Sequence, residues 1–195
     1  MPGHYIKVNN HDIFGYSRYT NMYHEMVNIA EDGALFVELG SFLGQSTAAM
    51  AAMIKHSNKQ IRFDAVDIFE LSEFSDDVHH DIVKEHGGNF LQAFTNNLLK
   101  ADVLDIVNIV KATSLQAASR YPDRSISYLM IDASHKYQDV CDDIRAWYPK
   151  IKMGGIISGD DYDWEEVNKA VVDTIPKHSV YDGSTWFLKK EQLTL

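Results

Sequence analysis

The sequence predicts an α/β fold: a doubly wound, mostly parallel sheet of seven strands with helices on both faces and a C-terminal antiparallel hairpin. Three observations carry this. Short apolar runs alternate with segments of helical period five times along the chain. Each of four of those runs carries an acidic residue at or next to its C-terminal end, where open α/β sheets bind ligands. The chain then closes on "KHSVYD" and "TWFLKK" around Asp182-Gly183, a hairpin signal that places an antiparallel strand at or near an edge.

Taken in order, residues 18–31 have Met22, Met26 and Ile29 at helical spacing. "ALFVEL" (34–39) is a short strand and 44–56 an Ala/Met-rich helix. "IRFDAVDIF" (61–69) alternates, 90–101 is helical, and "DIVNIV" (105–110) is a strand. A short helix (114–120) leads to the strand "ISYLMIDA" (126–133). Residues 137–148 form the strongest helix, with Tyr137, Val140, Ile144 and Trp147 on one face; Pro149 and Gly154-Gly155 end it. "GIISGDD" is the fifth strand and 163–174 the last helix, with Asp163 and Glu166 spaced as a capping pair.

At 195 residues the chain favours one domain, 1–195, with 1–33 as an N-terminal helical cap and 70–89 as an inserted lid or solvated loop. That insertion holds His79, His80 and His86, with Gly87-Gly88 as a hinge. A net charge of −10 with no Lys/Arg cluster disfavours a nucleic-acid partner. The single cysteine, Cys141, excludes an intramolecular disulfide and a cysteine zinc cluster, and reads as a small core residue. No apolar run approaches the roughly 18 residues that span a bilayer, so no membrane partner is expected. "MPGHYIKVNN" lacks a signal-peptide core, and a cytoplasmic location is the expectation.

"VELGSFLGQST" (37–47) puts a carboxylate, Glu38, just before a turn with Gly40 and Gly44. A turn whose glycines only relieve crowding is one reading. A dinucleotide site is a second, but it wants G-x-G-x-x-G and no acid beside the pyrophosphate. The third is S-adenosylmethionine: Glu38 approaches its ammonium, and N–H groups of the turn receive its carboxylate. Ser46 and Thr47 then add hydroxyl contacts or cap the helix. Asp67, at the end of the second strand, suits a ribose diol for either adenosyl ligand.

Asp132 ends the fourth strand and Asp160-Asp161 the fifth. Carboxylates leaving apolar runs are costly unless paired, hydrogen-bonded or metal-bound. In a doubly wound sheet these tips are neighbours, so the group suits a hard cation of the magnesium, manganese or calcium type. His135, three residues past Asp132, has an ordinary pKa of about 6.5 that suits a general base. Tyr5, Phe14, Tyr16, Tyr19 and Trp164 are candidates for an acceptor wall, with core packing as the equal alternative.

These stretches resemble a class I S-adenosylmethionine-dependent methyltransferase of Rossmann-like fold. "VELGSFLGQST" is similar to the first cofactor motif and "DAVDIF" to the second. "LMIDASHKYQDVCDDIRAWYPKIKMGGIISGDDY" resembles the acidic block of small metal-dependent O-methyltransferases, of the macrocin type and more distantly catechol O-methyltransferase. The resemblance implies S-adenosyl-L-methionine as cofactor, contacted by Glu38, Gly40, Ser41 and Asp67; Gly44, Ser46, Ile68, Thr113, Ser114 and Asp132 are further candidates for cofactor contact. It implies Mg2+ or a related ion on Asp132, Asp160 and Asp161, with His135 deprotonating an acceptor hydroxyl. The chain departs from the pattern at "KATSL", where Thr113 and Ser114 stand in place of the acid that usually meets adenine. The implied partner is a small hydroxylated acceptor, with a homo-oligomer possible. An NAD-linked oxidoreductase and a non-catalytic member of the fold are the alternatives.

Overall fold

The computed structural model describes residues 3–70, 84–85 and 87–191. His79, His80 and His86, and with them most of the expected lid, lie outside the described residues.

The main sheet forms because residues in its strands alternate between two buried faces. Strands β3 (Leu35–Leu39), β4 (Arg62–Asp67), β5 (Val107–Lys111), β6 (Ile126–Ile131) and β7 (Ile151–Gly159) run parallel; β8 (Ser179–Val180) and β9 (Trp186–Lys189) complete the sheet. The order is β5-β4-β3-β6-β7-β9-β8, with β9 antiparallel to both its neighbours. The expected hairpin therefore lies at the edge, but its second strand inserts beside β7. The chain leaves β3 toward β4 and β5, then returns on the other side at β6. That reversal opens a crevice at the ends of β3 and β6.

One face buries Phe36, Phe63, Ala65, Tyr128 and Met130 under α1 (Thr20–Ile29), α2 (Gln45–Ser57) and α3 (Leu91–Lys100). The other buries Val37, Leu39, Val66, Leu129 and Ile131 under α4 (Ser114–Ala118), α5 (Tyr137–Trp147) and α6 (Glu165–Thr174). On α5, Val140, Ile144 and Trp147 are fully or nearly fully buried as their spacing predicts, and Cys141 is a core residue. Each such large side chain contributes about 1.5–3 kcal/mol of burial. Ile29 departs from expectation: it is 67% exposed, and Tyr23 and Val27 join Met22 and Met26 in the core instead.

The N-terminal segment is not all helical. Residues His4–Val8 (β1) and His11–Gly15 (β2) form an antiparallel hairpin. Its turn is Asn9-Asn10, with φ of 45° and 68°, the left-handed pair that two-residue hairpin loops need. Gln45, in the first turn of α2, stitches this hairpin down. Its Nε2 donates to the carbonyls of His4 (2.7 Å) and Ile13 (3.0 Å), and its Oε1 accepts from Ser17 N–H (3.1 Å) and Oγ–H (2.8 Å). The residues that follow β2 are thereby held across the mouth of the crevice. Among the described residues, no helix is long and apolar enough to cross a membrane.

Candidate active site

A cavity of about 550 Å³ occupies the crevice, within the size range of small-molecule sites. Gly40, Ser41, Ser46, Asp67 and Ile68 line one part; Asp132, His135, Asp160 and Asp161 line another; Thr113 and Ser114 lie along it too. Glu38 and Gly44 are not among its lining residues.

Glu38 is the instructive case. It is the fourth residue of β3, so it shares a face with Phe36 and points under α1 and α2 rather than into the cavity. It is fully buried and accepts hydrogen bonds from Tyr23 Oη (2.7 Å), Ser41 Oγ (3.1 Å) and the Thr47 hydroxyl, with Ser46 close enough to add another. Burial raises its pKa, and these hydroxyls oppose the rise. Direct approach to a ligand ammonium is replaced by a brace beneath the turn. Thr47 serves that brace and is wholly buried.

The turn itself needs its glycines. Gly40 has φ +80°, and a Cβ there would lie 1.8 Å from the Asp132 carbonyl oxygen, so only glycine lets β3 and β6 end side by side. Gly44 has φ +86°, leads into α2, and packs against Phe94 of α3 rather than facing the cavity. Asp67 Oδ2 accepts from the N–H groups of Ser41 (2.8 Å) and Phe42 (3.0 Å), and Oδ1 from Phe69 N–H (2.7 Å). Burial raises the Asp67 pKa and the backbone N–H groups offset it. Much of the acceptor capacity expected for a ribose is thus committed to holding the turn. Two turn N–H groups expected to receive a carboxylate are likewise taken. The first turn of α2, which has no side-chain cap, is the remaining anion-favouring group.

At the other tip, Asp132, His135 and Asp161 offer ligand atoms within 4.8 Å of one another. His135 Nε2 lies 2.8 Å from Asp161 Oδ2 and 3.8 Å from Asp132 Oδ1. Asp132 Oδ2 accepts from Tyr19 Oη at 2.7 Å. Of the expected trio, Asp132 and Asp161 are grouped here with His135, while Asp160, at the same tip, accepts through Oδ1 from Ser184 Oγ at 2.5 Å. Burial, with Asp132 beside it, pushes the Asp160 carboxyl up to about 7. Two carboxylates and an imidazole facing a cavity fit a divalent ion, with manganese, iron or zinc as chemically apt as magnesium.

Thr113 caps α4 in a reciprocal pair with Gln116, which accounts for it structurally. Ser114 Oγ accepts from Trp147 Nε1–H (2.8 Å) and donates to Asp143 (2.5 Å). Asp143, 5% exposed, brings from α5 a carboxylate to the region where the "KATSL" turn lacks one. An acid on the otherwise apolar face of the 137–148 helix was its available signal. Asp163 does not cap α6: it pairs with Arg18, and Glu166 instead accepts from Tyr137 N–H at the start of α5 (2.7 Å). Of the aromatic wall, Tyr16, Tyr19 and Trp164 line the cavity, whereas Tyr5 and Phe14 do not. The Trp164 ring lies 4.7 Å from the His135 ring.

Known proteins resemble this chain in family and in fold. A methyltransferase-domain family profile matches residues 37–162, from β3 to just past Asp161. No curated protein sequence matches this one. Among solved structures, the O-methyltransferase NovP is similar at a TM-score of 0.64 and 17% identity, over 89% of this chain and 79% of that one. An S-adenosylmethionine-dependent O-methyltransferase from Thermotoga maritima gives 0.61 and 12%, over 97% and 78%. The calicheamicin methyltransferase CalS11 gives 0.58 and 16%, over 87% and 76%. At these identities the structures establish the fold, Rossmann-like and doubly wound, and the family profile, matching well over half of the residues, establishes the kinship: the chain belongs to the methyltransferase-domain family.

Proposed function

We propose that this protein transfers a methyl group from S-adenosyl-L-methionine to a hydroxyl of a small molecule or sugar, assisted by a divalent ion such as Mg2+. The observation that carries the reading is one continuous cavity joining the glycine turn and Asp67 to the Asp132, His135 and Asp161 cluster. Donor and acceptor need such a shared space, because most of the gain from alignment comes from holding two reactants in line.

In this reading the uncapped start of α2 receives the donor's carboxylate, and Asp67 with Ile68 bounds its ribose. Glu38 acts from below by fixing Ser41 and α2. Asp132 and Asp161, with His135 or Asp160, would hold the ion, which lowers the pKa of a nearby hydroxyl when bound. Tyr19 fixes the Asp132 carboxylate. His135, oriented by Asp161 and covered by Trp164, takes the acceptor proton. Tyr16 and Trp164 form an aromatic edge that excludes water from the transfer.

Calorimetry with S-adenosylmethionine and with NAD, before and after exhaustive chelation, tests this together with methyl transfer to a panel of hydroxylated acceptors. The expected result is S-adenosylmethionine binding that survives chelation, no NAD binding, and transfer abolished without metal. NAD binding overturns the cofactor. Full transfer after chelation leaves a metal-independent methyltransferase, and binding without transfer to any acceptor leaves a non-catalytic one.

A further inference from the structure

The acidic cluster already contains a cation, and it comes from the far end of the chain. Arg18 Nη2 lies 2.8 Å from Asp161 Oδ1, 3.1 Å from Asp163 Oδ1 and 3.7 Å from Asp160 Oδ1, and its side chain is 17% exposed. Its position is not that of a loose surface arginine. The preceding residue, Ser17, is tied to Gln45 through both N–H and Oγ–H, and the following one, Tyr19, is tied to Asp132. The guanidinium is therefore delivered to the tip of β7 by residues anchored to α2 and β6.

Two seats are available to it. Asp161 faces the cavity and is one of the three residues grouped for ion binding, whereas Asp163 stands outside the group with a side chain 51% exposed. A divalent ion drawing on Asp161 and Asp132 needs the charge that Arg18 now neutralises. With both cations at Asp161, like charges would sit within a few ångströms of each other in a partly desolvated crevice, where repulsion is weakly screened.

We propose that Arg18 is the resident counter-ion of this acidic site and competes with the divalent ion for Asp161, moving outward onto Asp163 when the ion binds. The inference rests on the metal reading above and adds a control to it. Arg18 lowers the site's affinity for the ion, and ion binding loosens the link between the N-terminal hairpin and β7. A cation that is fixed, planar and always charged suits that role better than lysine, because it spans both carboxylates at once.

Mn2+ binding, followed by calorimetry and by the loss of the free-ion paramagnetic resonance signal, tests this in the intact chain and in Arg18→Gln. The variant should bind Mn2+ roughly tenfold more tightly, the scale of losing one partly buried ion-pair competitor. Arg18→Lys should fall between the two. In the unmodified protein, Mn2+ should raise modification of Arg18 by phenylglyoxal, read by peptide mass mapping, because the guanidinium leaves its inner seat. This second measurement holds if the glutamine variant does not fold. Equal or weaker Mn2+ binding by a folded Arg18→Gln, or Arg18 modification that Mn2+ leaves unchanged or lowers, overturns the competition while the metal reading stands. No Mn2+ binding by either chain overturns both.

Discussion

Glu38 and Asp161 are both carboxylates at the carboxyl end of the sheet, yet they are partnered in opposite ways. Glu38 is enclosed by hydroxyls of Ser41, Thr47 and Tyr23, all within 15 residues of it in the chain. Asp161 is held by the Arg18 guanidinium, 143 residues away, and by the His135 imidazole. The β3 tip is thus a local brace of uncharged hydroxyl donors around one carboxylate, and the β6–β7 tip a cluster of opposed charges assembled from distant pieces. A brace of hydroxyls fixes a loop and cannot exchange its partners for a ligand without losing bonds. A cluster of opposed charges can exchange one cation for another, because the incoming charge takes over the pairing that the outgoing one leaves. Helix α1 and the residue before it bridge the two regions: Tyr19 serves Asp132 and Tyr23, one turn on, serves Glu38, with the rings in edge-to-face contact at 5.0 Å.

If the charged tip carries the chemistry and the brace carries the cofactor, substitutions should split accordingly. The largest effect belongs to His135. His135→Ala should lower turnover by about 10²–10⁴-fold, the usual loss on removing a general base. S-adenosylmethionine affinity should stay near that of the parent, since the imidazole sits with Asp132 and Asp161. Measuring Mn2+ affinity in the same variant sharpens the result: unchanged affinity assigns His135 as base with Asp160 completing the ion site, and lost affinity makes it a ligand. Retention of nearly full turnover between pH 6 and 9 would break the division of labour.

The next effect lies on the other side. Asp67→Asn replaces acceptor lone pairs facing the Ser41 and Phe42 N–H groups with an amide that satisfies them less well. Cofactor affinity should fall about tenfold to a hundredfold, the scale of one charge-assisted hydrogen bond. Turnover at saturating cofactor should change far less. Calorimetry and saturation kinetics separate the two, and a loss of turnover with affinity intact would place Asp67 in the chemistry.

The same contrast explains what the sequence made legible. Strands and helices of the sheet followed from periods of 2 and 3.6 because both faces are buried, so nearly every inward position had to be apolar. The glycine turn was legible because Gly40 and Gly44 need positive φ and their spacing is local. The direction of Glu38 was not read, although strand parity contains it: with Leu39 still in β3, Glu38 falls on the Phe36 face. The first hairpin was missed where Asn9-Asn10 separates two alternating runs, a turn signal weaker than Asn-Gly. Arg18 was illegible for a different reason. Nothing local marks an arginine whose partners lie 143 and 145 residues on, and the acids at 160–163 looked like ligands and a helix cap until their cation was placed.

Asp143 joins neither group and gives the smallest expected effect. It sits on the buried face of α5, accepts from Ser114 Oγ–H at 2.5 Å, and is pushed up to about 7, chiefly by burial and then by Asp139 and Asp142, with Ser114 opposing. Its folded pKa thus lies above the ordinary carboxylate value, so the folded state holds this proton more firmly than the unfolded chain does. The sign follows from linkage: its contribution to stability is greatest below about pH 4, falls as pH rises from about 4 to 7, and is level above that. A difference of roughly three pKa units corresponds to about 4 kcal/mol lost across that window. Asp143→Asn keeps an acceptor for Ser114 and removes the charge, while its buried amide hydrogens cost about 1–3 kcal/mol if unpaired. The net gain at pH 8 is then about 1–3 kcal/mol, or several degrees in Tm for a chain of this size. Melting curves of both proteins from pH 5 to 8 should diverge upward with pH in favour of the variant. Parallel curves would mean that Asp143 is ionised in the folded protein at no cost. The carboxylate would then belong with the charged tip, as a second group whose neutralisation comes from outside its own helix.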